Sequence, residues 1–242
     1  MPAIIRTYGR LIAFMSAWLC ATNVFAQADV PAPDSDEWVL RAEENGVRVY
    51  TLAHEDSNFR AFKAETLLHA PIDTVMAVMS TAESCLEWAH ACKVSESLPG
   101  GTFSDRYAYS VTGMPWPVTD RDYVLHLLTS GKRGGPVRMT MSAVPDRKPE
   151  VDGRLRVNHS ETLYELVPRG EWTQLTWVQH TDPEGSLPSW LVNSLLVDIP
   201  LDSLGKLREV VLLPKYQGYE LVYDAEGNLK DIRKSQNESD RD

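Results

Sequence analysis

The stretch "LPSWLVNSLLVDIPLDSLGKLREVVLL", residues 187–213, constrains the chain more than any other. A helix entered at Pro188 carries Trp190, Leu191, Val192, Leu195, Leu196, Val197 and Ile199 around its axis, interrupted by Ser189, Asn193, Ser194 and Asp198. A helix that is apolar nearly all round is either buried on most sides or spans a membrane. The thirteen residues from 187 to 199 fall short of the roughly 20 needed to span a bilayer. The rest of the chain must therefore wrap this helix. Pro200 lacks a backbone donor and is expected to break or kink it. Beyond Pro200, Leu201, Leu204, Leu207 and Val211 return to an ordinary one-sided stripe.

The wrapping surface is legible between Lys93 and His180. Runs rich in Val, Tyr, Thr, Leu and Trp are separated by turn signals such as "PGG", "GKRGG", "VDG" and "PRG". Such connections are too short for parallel crossovers, so the sheet is expected to be mainly antiparallel. Period-two alternation puts Tyr107, Tyr109 and Val111 on one face of "DRYAYSV", and Val137, Met139 and Met141 on one face of "VRMTMSA". Upstream, "VRVYTLAH" and "FRAFKAETLL" read as strands, and "DEWVLRAEENG" as a short helix ending at Gly46. "APIDTVMAVMSTAES" reads as a helix opened by Pro71, with Ile72, Val75, Met76 and Met79 on one face. "YELVYDAEGNLKDIR" reads as a hairpin before a charged tail. There are no internal repeats.

The first residues are of a different kind. Arg6 and Arg10 precede the apolar run "LIAFMSAWLCATNVFA", which ends in a small-x-small site at Ala26. This pattern predicts a secretory signal peptide over 1–26, removed on export, the alternative being a retained anchor. The mature chain would be periplasmic in a bacterium and secreted otherwise. Loss of the two arginines takes the net charge from −10 to −12. An acidic chain without a basic block excludes nucleic acid as partner and tight electrostatic docking on anionic headgroups. Cys85 and Cys92 remain, an even count in an oxidising compartment, which predicts a disulfide over the alternative of two buried thiols. On an unbroken helix seven residues rise about 10.5 Å, too far for a bridge, so the helix must end near Cys85.

"GMPWPVTDRD", residues 113–122, brackets Trp116 with Pro115 and Pro117. Two missing amide donors and restricted torsions suit a segment that covers an apolar hole without leaving amides unpaired. Trp116 would plug that hole with its N–H near water; the alternative is a tight turn around a core tryptophan. Arg121 and Asp122 would anchor the strand leaving the loop through an internal ion pair.

An antiparallel sheet gripping one apolar C-terminal helix is an α+β, helix-grip arrangement. With "CLEWAHAC" after the first long helix, "PWPVTDRDYV" and "PSWLVNSLLVDIPLDSLGKLR", the chain resembles the START lipid-transfer domain from Trp38 to Leu213. The organisation expected is a signal peptide over 1–26, a flexible leader over 27–37, the START-like domain over 38–213 and a hairpin with charged tail over 214–242. The resemblance implies a tunnel between sheet and C-terminal helix that holds one lipid, phospholipid or other acyl lipid, under a mobile loop and helix lid. It implies carriage between membranes by a monomer that touches them transiently. Acyl chains would lie along Tyr107, Tyr109, Met139, Met141, Trp177, Trp190, Leu191 and Val197. Trp116 and Tyr123 would line the lid and its exit strand, and Arg121, Asn193 and Ser194 would meet the headgroup. Methionines suit chains of varied shape.

No nucleophile elbow, zinc-binding pair, cofactor fingerprint or phosphate-cradling loop is present. Neither a catalytic residue, a metal nor a cofactor is expected. The competing classes are a helix-grip enzyme of the aromatase/cyclase type, with Asp105, Arg106, His126, Glu161 and Gln179 as acid–base candidates, and a lipid-sensing interaction module.

Overall fold

The computed structural model describes residues 30–53, 57–187 and 189–235, without the side chains of residues 189, 190, 193 and 194. The expected signal peptide, the start of the leader and the end of the tail lie outside the described residues. So do the side chains of Trp190, Asn193 and Ser194.

The chain opens with three strands, β1 (Val39–Glu44), β2 (Val47–Leu52) and β3 (Ala61–Leu68). The expected short helix before Gly46 is instead β1, paired antiparallel with β2. Asn45 and Gly46 both have positive φ, 49° and 77°, the combination of a two-residue hairpin turn and the reason Asn-Gly closes hairpins. The leader is held at its end: Lys63 Nζ donates to the Pro33 carbonyl at 2.9 Å, and Trp38 Nε1 to that of Ala32 at 2.9 Å.

Helix α1 (Ile72–Ser80) follows, with Val75, Met76 and Met79 buried as the spacing requires. It stops at Ser80, and a single turn, α2 (Cys85–Trp88), begins at the first cysteine. That break satisfies the geometric condition, bringing the Cα atoms of Cys85 and Cys92 to 6.1 Å in a disulfide.

The remaining sheet strands are β4 (Cys92–Gly101), β5 (Asp105–Thr112), β6 (Asp120–Gly131), β7 (Val137–Ala143), β8 (Arg154–Arg156), β9 (His159–Arg169) and β10 (Trp172–Asp182). They join the first three in the order β1-β2-β3-β10-β9-β7-β6-β5-β4. All neighbours on this path are antiparallel; β8 alone pairs parallel, with β6. The first and second halves of the sheet thus meet where β3 pairs with β10, and the C-terminal helical region closes over one face.

The C-terminal helix is two helices, α3 (Ser189–Leu196) and α4 (Asp198–Val210), separated at Val197. The expected break at Pro200 falls three residues earlier. A proline ring opposes the carbonyl four residues before it, here that of Leu196, so the chain turns at Val197 and Pro200 sits in the first turn of α4, where no amide donor is needed. Leu204, Leu207 and Val211 are fully buried against the sheet. Strands β11 (Tyr219–Tyr223) and β12 (Leu229–Lys234) form the expected hairpin. It is not an appendage: Tyr216, Leu221 and Leu229 join the main core, and the Leu221 amide donates to Asp73 Oδ1 of α1 at 2.7 Å. Among the described residues no helix is long and apolar enough to cross a membrane.

Candidate functional site

One face of the sheet, together with α2, α3 and the start of α4, lines a partly open cavity of about 260 Å³. A recess of about 350 Å³ adjoins it beneath the 113–115 segment and α3. His90, Met114, Leu195 and Ile199 border both spaces and stand between them. The strand registers order the wall into rows. Ser110 with Tyr123 lies toward the loop end; Arg106, Leu127, Met141, Thr162, Gln179 and Phe62 form a middle row; Met139, Tyr164 and Trp177 lie deeper. Arg106 is six residues along β5 from Thr112, about 20 Å at the rise of a strand.

Across these rows, polar side chains of β9 and β10 satisfy one another. Ser160 Oγ and Thr181 Oγ1 lie 2.8 Å apart, Gln179 Nε2 donates to Thr181 Oγ1 at 2.9 Å, and Trp177 Nε1 donates to Gln179 Oε1 at 3.1 Å. The deep end is aromatic: the rings of Trp88, Tyr164 and Trp177 lie 5.3–6.5 Å apart, and Phe62 packs edge-on against Trp177. Burial pushes the Tyr123 hydroxyl up to about 12, an effect the nearby Arg121 partly offsets. Burial alone also raises that of Tyr164.

The cavity's charge is one-sided. The chain carries 34 acidic residues, yet none of the described ones lines the cavity, whereas Arg60 and Arg106 do. Arg106 donates to the Phe103 carbonyl, to Thr129 Oγ1 at 3.0 Å and to Met139 Sδ at 3.4 Å. No described ion pair includes it, and burial pulls its guanidinium below the usual value.

Of the residues singled out in the sequence, Tyr123, Met139, Met141 and Trp177 line the cavity. Tyr107 borders it, but its ring stacks on His126 at 4.7 Å under the Arg147 guanidinium. Tyr109 lies off it. Together with Val111 and Val124 it forms a second apolar cluster on the opposite face, covered by Val144 and Val151. The inward face of β5 is the other one, Arg106, Ala108, Ser110 and Thr112. Leu191 lines the outer recess rather than the cavity. Val197 lines neither, because the helix breaks there; its neighbours Val192, Leu195, Leu196 and Ile199 take its place.

Trp116 neither plugs the cavity nor sits in a core; it is 92% exposed at the loop tip. The loop is tethered from below. Asp120 Oδ1 accepts from the Met114 amide at 2.9 Å, and Lys93 Nζ approaches Asp120 Oδ2 at 2.7 Å. The Lys93 bond first, and then the Met114 amide, hold the Asp120 carboxyl below its ordinary value.

Arg121 makes no described ion pair. Its buried guanidinium donates to the backbone carbonyls of Pro183 at 3.0 Å, Glu184 at 2.9 Å and Thr119 at 2.5 Å. It therefore clasps the exit of the 113–119 loop to the segment that leads into α3. The anchoring pair is Asp122 with Arg156, 2.9 Å apart and almost fully buried, supported by Tyr109, whose hydroxyl donates to Asp122 Oδ2 at 3.0 Å. Arg156 lies 34 residues from Asp122, and nothing local in the sequence links them.

The acid–base candidates are not assembled. Asp105 and His126 pair at 2.7 Å on the face turned away from the cavity. Glu161 accepts from Ser142 Oγ at 2.6 Å, and only Arg106 and Gln179 reach the cavity. Among the described histidines His90 lines it, held against Asp202 at 2.6 Å. Sequence reasoning missed Trp88, Tyr164 and Phe62. The alternation of "ETLYELV" and the tryptophan between the cysteines were the available signals. No metal-binding group of three or more side chains occurs among the described residues.

A family model described as the START domain matches residues 18–210. An uncharacterised protein of Pseudomonas aeruginosa is 36% identical over 175 residues, covering 72% of this chain and 86% of that protein. The phosphatidylcholine transfer protein of Rattus norvegicus is 25% identical over 177 residues, 69% of this chain and 80% of the relative. Among solved structures, a fragment of the STAR-related lipid transfer protein of Xanthomonas axonopodis matches with a TM-score of 0.68 at 32% identity, covering 74% of this chain and 100% of that one.

Proposed function

This chain belongs to the START domain family, and from that premise we propose that it holds one acyl lipid in the cavity and carries it between membranes as an exported protein. The observation that carries the reading is the partly open cavity under α3, walled by aromatic rings and by the flexible Met139 and Met141, in a chain with relatives described as lipid transfer proteins. Its volume of about 260 Å³ lies just below the roughly 300–1,000 Å³ of small-molecule sites, and the adjoining recess gives a chain room to extend toward the surface.

The energetics suit a carrier. Each buried methylene contributes about 0.8 kcal/mol relative to water, so a sixteen-carbon chain gains roughly 12 kcal/mol. Relative to a bilayer there is little gain, because the chain is already in hydrocarbon there. Exchange is then near-neutral at equilibrium, and its rate is set by opening α3 and the 113–119 loop. Trp116, an exposed amphipathic ring at the loop tip beside the cavity, suits brief contact with a membrane interface. With no described carboxylate lining the cavity and Asp105 paired with His126 on the other face of the sheet, those acid–base candidates are not assembled in it, which favours carriage over catalysis. The Cys85–Cys92 disulfide agrees with export to an oxidising compartment.

Transfer between two vesicle populations tests the reading. Labelled lipid in donor vesicles should reach acceptors at a rate proportional to added protein. If the protein leaves transfer at its spontaneous rate while still taking up lipid, it is a sensor rather than a carrier.

A further inference from the structure

The segment from Cys85 to Cys92 joins several parts of the cavity wall. Cys85, Trp88, Ala89 and His90 line the cavity, and His90 and Ala91 border the recess. The segment holds the 113–119 loop, because the Gly113 amide donates to the Ala91 carbonyl at 2.8 Å. It also holds α4: the His90 amide donates to Ser203 Oγ at 3.0 Å, and the His90 ring lies 2.6 Å from Asp202 Oδ2. The turn after α4 is tied to it as well, since Lys215 Nζ and the Tyr216 hydroxyl donate to Glu87 Oε1 at 2.7 and 2.8 Å. Yet little within the segment fixes its own shape. α2 has four residues, too few to stand as a helix alone. Cys92 opens β4, which lies at one end of the strand order. Two backbone bonds close the segment's turns, Ala89 N to Cys85 O at 2.9 Å and Cys92 N to Ala89 O at 3.2 Å. Its covalent closure is the Cys85–Cys92 disulfide, and both cysteines are half-buried rather than sealed in the core.

We propose that the Cys85–Cys92 disulfide is a redox latch on lipid release, holding lipid when oxidised and letting the wall open when reduced. This rests on the carrier reading and adds its control. The reductant is a dithiol. One of its thiolates attacks a sulfur of the bridge, forming a mixed disulfide and freeing the other cysteine as a thiolate that takes a proton from water. The second thiolate of the reductant then displaces the remaining cysteine, which is protonated in turn, and closes the reductant's own disulfide. Two electrons pass to the protein, which ends with two thiols. The segment regains the closure entropy of its loop, a factor of about sixty in its open population. The opening is local, because the β9–β10 ladder does not run through the segment. It loosens together the wall around Trp88, the hold on the 113–119 loop and the hold on α4.

Release of a fluorescent lipid tests this. The purified protein is loaded with pyrene-labelled phosphatidylcholine or pyrene-labelled palmitate and mixed with excess vesicles of unlabelled phosphatidylcholine, either oxidised or after treatment with dithiothreitol. Reduction should speed loss of whichever probe loads by at least about tenfold, within the factor that the freed loop allows, and reoxidation should restore the slow rate. The double variant Cys85→Ser/Cys92→Ser should release fast with or without reductant; if it does not fold, the reduced wild type decides. Leu229→Ala removes core volume in β12, away from the cavity wall, and lowers overall stability. Oxidised, it should keep the slow release, which separates the latch from general loosening. Four results would overturn the latch and leave the carrier reading intact: a bridge that dithiothreitol leaves closed in the folded protein, a release rate unchanged once both thiols can be alkylated, loss of the folded circular dichroism on reduction, or equal acceleration in oxidised Leu229→Ala. Failure of both probes to load overturns both readings.

Discussion

Replacing Arg121 by leucine separates two roles the residue was open to. The guanidinium serves three backbone carbonyls and no described carboxylate. Thr119 is exposed, and Glu184 is half-buried, so after Arg121→Leu water reaches their carbonyls and each loss is about 1 kcal/mol. Pro183 is buried, and its orphaned carbonyl costs about 1–3 kcal/mol. Leucine in turn relieves the burial of a cation, which offsets part of the sum. The net expectation is a loss of about 2–4 kcal/mol in the lipid-free protein. For a domain of this size that lowers Tm by about 4–16 °C. Because the clasp joins the 113–119 loop to the approach to α3, lipid release should also accelerate. Urea unfolding and a melting curve of the stripped protein, with and without added lipid, measure both. An unfolding free energy within about 0.5 kcal/mol of wild type, with the lipid-induced gain in Tm lost, would refute this reasoning and return Arg121 to the headgroup.

Asp122→Ala leaves Arg156 buried without its carboxylate and should cost about 3–5 kcal/mol by denaturant titration. Trp116→Ala, at a fully solvated tip, should change stability by less than about 0.5 kcal/mol yet slow vesicle-to-vesicle transfer. Reduction of Cys85–Cys92, which closes a loop of sequence separation 7, should cost about 2.5 kcal/mol in the chain-entropy account; alkylation of the denatured, unreduced mature protein should label no thiol. Asp120 has a folded pKa below its ordinary 3.8. Its contribution is therefore present above that value and lost as pH falls through the folded pKa. Wild type should lose this increment below about pH 4, whereas Asp120→Asn should lack it at every pH in a pH–melting series.

The sheet and α1 were legible because periodicity and turn residues report them directly; of the described side chains of 187–199, which the sequence reading expected to be buried on most sides, only Leu191 is buried and most others are half-buried. β1 was not, because an edge strand exposed along most of its length has no apolar alternation to show, and Glu-rich "AEEN" favours a helix locally; the Asn-Gly turn was the better guide. β5 shows a different limit. Alternation separates its faces, but both are covered, one by the cavity and one by Val144 and Val151, so pattern alone does not say which is inward. The bulky Tyr107–Tyr109 face was the natural choice, and the structure selects the smaller one, which leaves space for a cavity. The Arg121 environment was hidden for another reason: two of its three acceptors are carbonyls more than sixty residues away, at Pro183 and Glu184, and backbone groups leave no mark in a sequence. Arg106 was visible as a polar candidate, but its lack of a carboxylate partner is a property of the fold.

Native mass spectrometry of the protein as purified, before and after organic extraction, tests the central claim most directly. The account predicts a single mass increment of one acyl lipid on each chain, lost on extraction and regained on incubation with vesicles. A bare polypeptide mass that vesicles do not change would contradict it.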